Sequence, residues 1–262
     1  MLMTVAEIQA RLRNADAAEL AALERSLVAD TRKGVKSALA SARRRIDAIE
    51  AERARVDGMY EFERSLANGV GDGVVVGLDE VGRGSLAGPL AVCAVVLPES
   101  PKIEGLNDSK QVKPDDRVKI AREIEGVATA WAIEYVSPQD IDRDGMATSL
   151  RRAFSGALSK VEAMGVVVDV VLIDGNPLHF DPREINVIKG DAKCASIAAA
   201  SIVAKARRDA LMCELAPEYP AYAFDVNKGY SSPHHIEAIK SAGLSPLHRK
   251  SFCRSFLQES LF

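Results

Sequence analysis

Apolar positions recur at three- and four-residue steps through the first part of the chain and then change to short unbroken runs. The sequence therefore divides into a helical beginning and a sheet-forming remainder. Two early helices are predicted to start at Thr4-x-x-Glu7 and Asp16-x-x-Glu19, spacings at which side chains take up the orphan N–H groups of a first turn. A long third helix follows, with Val35, Leu39, Ala42, Ile46, Ile49, Val56 and Met59 on one stripe that another surface must cover. Asn68-Gly69-Val70-Gly71-Asp72-Gly73 then breaks the pattern. It predicts a boundary between a helical extension, 1–70, and a second domain, 71–262.

In that second domain, residues 74–78 and 90–97 are short apolar runs of the kind buried in a sheet, close enough to be antiparallel neighbours. Residues 127–136, with Trp131, Ile133 and Tyr135 alternating, predict a third strand, 166–173 a fourth and 186–188 a short fifth. Helices are predicted over 115–125, opened by Pro114, over 149–164, and over the Ala-rich 192–215. A hairpin-like pair of strands followed by strand–helix alternation predicts an α/β fold. Its sheet is mixed, with helices on both faces.

Composition narrows the class only a little. The 262 residues are 47% hydrophobic and 27% charged, which excludes disordered and fibrous chains. No apolar run approaches the roughly 18 residues of a membrane span, and no basic flank leads into an apolar stretch at the N-terminus, so a cytoplasmic protein is expected. Cys93, Cys194, Cys213 and Cys253 form no C-x-x-C pair and are expected to be reduced. A net charge of -3 excludes a bulk polycation that coats nucleic acid, though not a basic groove. Between residues 31 and 46 the chain carries Arg32, Lys33, Lys36, Arg43, Arg44 and Arg45 without an acid. That run reads either as a solvated helix face or as an accessory nucleic-acid contact.

Carboxylates stand where buried strands should end. Asp79-Glu80 closes the first strand, Asp174 the fourth, and Asp191 follows the fifth. Singly, Asp174 could start a turn, Asp191 could cap a helix and Glu80 could face water. Brought to one sheet edge, they would repel unless divalent cations lay between them, and oxygen-only ligation suits Mg²⁺ or Mn²⁺. Adjacent strand residues point to opposite faces. Asp79 and Glu80 thus share a site only if the strand ends or bulges there, or if one contributes a carbonyl.

Gly82-Arg83-Gly84-Ser85-Leu86-Ala87 fits G-x-G-x-x-A, with Glu104 some twenty residues on, which raises a nicotinamide-dependent oxidoreductase as a rival. That reading requires a helix at 90–97, whereas the composition there predicts a strand. The glycines can instead let backbone approach a sugar or phosphate without Cβ atoms in the way.

The segment Asp79-Glu80-Val81-Gly82-Arg83-Gly84, with Ala87-Gly88-Pro89 behind it, resembles the signature of bacterial ribonuclease HII. Agreement continues through Asn107-Asp108-Ser109-Lys110, Ile173-Asp174-Gly175-Asn176 and Lys189-Gly190-Asp191. The Ser201 to Lys205 stretch with Arg208-Asp209, then Asn227-Lys228-Gly229-Tyr230 and His248-Arg249-Lys250-Ser251-Phe252, complete the set over about 74–252. The resemblance implies a ribonuclease H-like fold with an N-terminal helical extension. It also implies hydrolysis of the RNA strand of RNA/DNA hybrids and nicking of duplex DNA 5′ to single embedded ribonucleotides. By analogy Asp79, Glu80, Asp174 and Asp191 are catalytic and hold two Mg²⁺ or Mn²⁺ ions. One would lower the pKa of a water, the other would stabilise the leaving 3′ oxygen, and the ends would be 5′-phosphate and 3′-hydroxyl.

The resemblance further implies that Gly82, Arg83 and Gly84 recognise the 2′-hydroxyl at the RNA-to-DNA junction, that Tyr230 stacks on the neighbouring deoxyribose, and that Lys110, Lys205 and Ser201 contact phosphates. No chemical step falls to His179, His234 or His235, and His248 and Arg249 read as structural. Ser231 stands where the family often has Gly, and a tilted tyrosine loop is expected; Ser85 stands where the family commonly has Pro, and a less rigid glycine loop is expected. A monomer without an obligate protein partner is expected. A module that binds hybrid without cutting it is the non-enzyme alternative.

Overall fold

Thr4 opens the first helix as its spacing predicts. Its hydroxyl accepts from the Glu7 amide, and the Glu7 carboxylate accepts in return from Thr4 N at 2.7 Å. Asp16 caps the second helix through Glu19 N at 2.8 Å. A computed structural model describes residues 3–67 and 73–257. Residues 68–72, most of the glycine-rich segment read as a boundary, lie outside the described residues. The chain divides into two compact units, Met1–Asp57 and Gly58–Phe262. Among the described residues no helix is long and apolar enough to cross a membrane.

In the first unit α1 (Val5–Asn14) and α2 (Ala17–Ser26) pack with the beginning of α3 (Lys33–Leu66) around Ile8, Leu12, Leu20, Leu23, Val35, Ala42 and Ile46. The predicted stripe is buried at Val35, Ala42, Ile46, Val56 and Met59. Ile49 is 39% exposed, one turn beyond the last residue of that cluster. Half of the basic run is engaged internally: Arg32 with Asp30, Arg43 with Glu24, and Arg45 with the carbonyls of Leu12 and Ala15. Lys33, Lys36 and Arg44 are exposed.

The end of α3 belongs to the second unit. Tyr60 Oη accepts from Ile103 N at 3.4 Å, and the buried Glu63 accepts from both the amide and the hydroxyl of Ser196 at 2.7 Å. Burial pushes the Glu63 carboxyl up, and the two Ser196 donors oppose that shift.

The second unit is a five-stranded mixed sheet of order β3-β2-β1-β4-β5. Its strands are β1 (Val75–Val81), β2 (Leu90–Val96), β3 (Ala130–Val136), β4 (Val170–Asp174) and β5 (Glu184–Val187). The predicted hairpin holds, with β1 antiparallel to β2, and β1 runs parallel to β4. Every residue of β2 is buried, which is why its sequence shows no alternation. The remaining helices are α4 (Pro114–Val127), α5 (Pro138–Asp144), α6 (Met146–Glu162), α7 (Ala195–Leu215), α8 (Phe224–Asn227), α9 (Pro233–Ala242) and α10 (Lys250–Leu257).

On one face Val76, Leu78, Val92, Ala94 and Val96 meet Leu150, Phe154, Leu158 and Val161 of α6. On the other face α7 lies so near β1 that a Cβ on Gly77 would fall 2.3 Å from the Ser196 carbonyl carbon. Only a glycine in the strand and a small-residue helix permit that approach. Strand β1 continues three residues past its predicted end, because backbone pairing with β2 carries through Asp79, Glu80 and Val81 regardless of their side chains. A strand at 90–96 removes the helix that the oxidoreductase reading requires. Cys93, Cys194 and Cys253 are buried free thiols and Cys213 is an exposed one.

Candidate active site

Asp79 shares the face of β1 with Gly77, two residues back, and so points toward α7. It is 7% exposed. Its carboxylate accepts from Glu80 N at 2.8 Å and bonds the Ser201 hydroxyl of α7, which stands 3.0 Å from the Ser109 hydroxyl. Burial, then the charges of Glu80 and Asp174, raise the Asp79 carboxyl well above the usual range. Glu80 leaves from the opposite face. Burial raises it too, while Arg83 at 3.5 Å pulls it back.

The strand neither ends nor bulges between the two acids; instead its partner stops. The last β1–β4 pair is Leu78 with Ile173, so Asp174 emerges beside Asp79 and is a charge neighbour of both acids. Asp174 Oδ1 accepts from Gly190 N at 2.6 Å, which fixes the turn that presents Asp191. Burial raises Asp191, then Asp174 and Asp108 raise it further, and Lys110 opposes them. The four predicted acids are thus brought into one mutually repelling group.

All the donors are carboxylate oxygens, as a hard divalent ion prefers. Among the described residues no three His, Cys, Asp or Glu side chains converge closely enough to hold an ion alone.

Beside the acids, Gly82 takes φ +82 and Gly84 has nothing within 4 Å of where a Cβ would stand. Two buried arginines hold this loop from behind. Arg208 of α7 donates to the carbonyls of Pro89, Lys228 and Ala87 and to the Ser85 hydroxyl, at 2.8 to 3.0 Å. Arg249 donates to the carbonyls of Gly88 and Arg83. Burial lowers both guanidinium pKa values, Arg249 to about 9, with the Arg208 charge adding to the effect there. Ser85, expected to loosen the loop, is fully buried, donates to Gly82 O at 2.9 Å and accepts from Arg208.

Gly229 O accepts from the amides of Leu86 and Ala87, so the glycine loop and the Tyr230 loop are one assembly. The Tyr230 ring is half-buried, with Lys205 Nζ 5.4 Å and the Arg208 guanidinium 5.5 Å from its centroid. Lys205 pairs with Asp209 at 2.8 Å. Ser201 is 5% exposed and turned inward to Asp79 and Ser109, whereas Lys110 is extended into solvent 4.0 Å from Asp108. Arg208 was not singled out by sequence reasoning as a functional residue, although Ser201, Lys205, Arg208 and Met212 recur on one face of α7. The neighbouring histidines His235 and His248 left no such trace.

A mixed five-stranded sheet with acids gathered where its parallel strands stop defines a ribonuclease H-like fold, the class of phosphodiester hydrolases. Comparison with known proteins narrows that class. The sequence pattern of the family described as Ribonuclease HII matches residues 76–255, and that of the Ribonuclease HII N-terminal domain matches 4–67. The chain is 40% identical to the ribonuclease HII of Staphylococcus carnosus over 85% of this chain and 84% of that one. It is 40% identical to that of Ruminiclostridium cellulolyticum over 80% and 81%. The solved ribonuclease H2 of Pyrococcus horikoshii superimposes with a TM-score of 0.60 at 27% identity, covering 70% of this chain and 96% of that one. The chain belongs to the ribonuclease HII family, divalent-metal-dependent endoribonucleases that act on RNA/DNA hybrids.

Proposed function

We propose that this chain nicks duplex DNA 5′ to single embedded ribonucleotides as well as cutting longer hybrids, and leaves 5′-phosphate and 3′-hydroxyl ends. One observation carries the junction reading: Gly229 O takes the Leu86 and Ala87 amides, so the loop that would meet the ribose and the tyrosine that would meet the next sugar are tied together. Gly82 and Gly84 leave the backbone bare for a 2′-hydroxyl, and the exposed Arg83 side chain lies over the same edge. Tyr230 would stack on the adjoining deoxyribose and reject a second 2′-hydroxyl for want of room. Lys205 and Lys110 would take flanking phosphates, which position a duplex without reading its sequence. Ser201 holds Asp79 from within the helix face.

Asp79, Glu80, Asp174 and Asp191 would hold two divalent ions, Mg²⁺ or Mn²⁺. Bound there, such ions supply the charge that activates a water and stabilises the leaving oxygen.

The deciding experiment incubates the protein with end-labelled duplex DNA containing one ribonucleotide, a long RNA/DNA hybrid and an all-DNA duplex, each in Mg²⁺, Mn²⁺ or EDTA. Metal-dependent nicking 5′ to the ribonucleotide, with the all-DNA duplex intact, is expected. Cutting of the hybrid alone would remove the junction role of Gly82 and Tyr230, and cutting of neither would leave a binding module.

A further inference from the structure

Two buried histidines that play no part in the chemistry connect the two halves of the recognition surface. His235, in α9, and His248, just before α10, are 0% and 2% exposed, with their Nε2 atoms 3.0 Å apart. The rings of Tyr222 and Phe224 pack edge-on against them. His235 Nδ1 lies 2.8 Å from the Tyr230 carbonyl, and His248 Nδ1 lies 2.9 Å from the Ser245 amide nitrogen.

An amide nitrogen can only donate, and a carbonyl can only accept. The order of protons along the chain is therefore determined for two neutral rings. Ser245 N–H donates to His248 Nδ1, His248 Nε2–H donates to His235 Nε2, and His235 Nδ1–H donates to Tyr230 O. Every polar atom of both rings is satisfied, and reversing one bond would leave two donors or two acceptors face to face.

The far end of this relay is anchored on the glycine loop. His248 forms a bridge with Ala87, Gly88 N donates to Leu247 O at 2.8 Å, and Arg249 N donates to Leu86 O at 2.8 Å. One end thus holds the backbone of residues 86–88 and the other holds the carbonyl of the tyrosine. We propose that His235 and His248 are positioning residues for junction recognition: their hydrogen-bonded pair sets the spacing between the glycine loop and Tyr230, and with it the preference for a ribose followed by a deoxyribose. This inference rests on the reading of Tyr230 given above.

The test uses amides that keep one bond of the relay at a time. An asparagine amide nitrogen falls where His Nδ1 stood, and a glutamine amide nitrogen falls where Nε2 stood. His235→Asn retains the donor to Tyr230 O, while His235→Gln loses it. His248→Gln retains the donor to His235, while His248→Asn loses it. The readout is kcat/KM on the single-ribonucleotide duplex divided by kcat/KM on the long hybrid, with Tm measured beside it.

His235→Gln and His248→Asn are expected to lower that ratio by about ten-fold, the upper end of what one net hydrogen bond is worth. His248→Gln, which keeps the bond between the two positions, is expected to stay near the wild-type ratio, whereas His235→Asn, which keeps the Tyr230 bond but leaves His248 Nε2–H without its acceptor, is expected to fall as His248→Asn does. His235→Asn and His248→Asn break the same bond from its two ends, so one that fails to fold leaves the other decisive. Equal losses on both substrates that follow Tm, or the same ratio in His248→Asn and His248→Gln, would overturn the proposal. Tyr230→Ala run in parallel separates the causes. An unchanged ratio there means that the junction reading itself is at fault, whereas a changed ratio with inert histidine variants means that the pair only fills space.

Discussion

Asp79 is an expensive residue to fold around. Its carboxyl is buried beside two other acids and receives one amide and one hydroxyl, so its charged form is disfavoured. Asp79→Asn keeps the volume and removes the charge. Cleavage in Mg²⁺ or Mn²⁺ is expected to fall by more than the about 10–100-fold that loss of an outer-shell partner costs. Thermal unfolding in EDTA should shift upward by about 0.5–2 kcal/mol. An Asn variant that cuts normally would remove Asp79 from the site, and one that is less stable in EDTA would contradict its burial cost.

The histidine pair carries a pH dependence of defined sign. Burial first, and the neighbouring His235 charge second, depress His248 to about 4, and burial depresses His235. The unfolded chain takes up protons near pH 6.5 that the folded chain refuses. The contribution is therefore fully present above about 6.5 and is lost as pH falls toward about 4. Tm followed across that window should decline more gently in His248→Gln than in the parent chain.

At the level of elements, the contact between β1 and α7 decides whether a site exists. Gly77→Ala would drive a methyl group into the backbone of Ser196 and Ile197, which cannot yield as a side chain can. Destabilisation of about 1–3 kcal/mol by chemical denaturation is expected, with weaker cleavage of every substrate as Ser201 shifts from Asp79. Gly84→Ala is the contrasting case, because nothing lies within 4 Å of the new methyl. Stability should be unchanged while nicking at a single ribonucleotide falls. Loss of both together would mean that Gly84 serves the fold.

Such contrasts also measure what periodicity could reveal. The strand runs and the acids behind them were legible because burial excludes polar side chains from strands covered on both faces. Arg208 was hidden because a charged residue late in a helix ordinarily lies in solvent, and its use depends on the carbonyls of Ala87, Pro89 and Lys228 and the Ser85 hydroxyl.

For the whole molecule, the place where the helical extension stops matters more than its length. Tyr60 and Glu63 lie in α3, yet their partners are Ile103 and Ser196. A chain beginning at Gly58 is expected to fold and to cut hybrid. One beginning at Gly71 loses the carboxylate that holds the first turn of α7, and should be less stable by about 1–3 kcal/mol. Equal Tm values for the two would show that Glu63 carries no load. Three of the six basic residues in 31–46 are already engaged within the first unit. The slope of hybrid affinity against salt should therefore change little when 1–57 is removed; a flatter slope would mean that Lys33, Lys36 and Arg44 reach phosphates.

By itself the sequence determined the helical beginning, the mixed sheet, the four acids and the glycine loop, because each is written in local terms: periodicity, turn chemistry, or a carboxylate at the end of an apolar run. The tertiary structure decided what depends on residues far apart in the chain. It set Asp79 and Glu80 on opposite faces yet both beside Asp174, because β4 stops where β1 does not. It aimed the buried charges of Arg208 and Arg249 at carbonyls, and it joined the glycine loop to Tyr230 through Gly229 and two histidines. Hydrogen bonds across 100 residues or more leave no period in a sequence; they exist only once the helices have closed over the sheet.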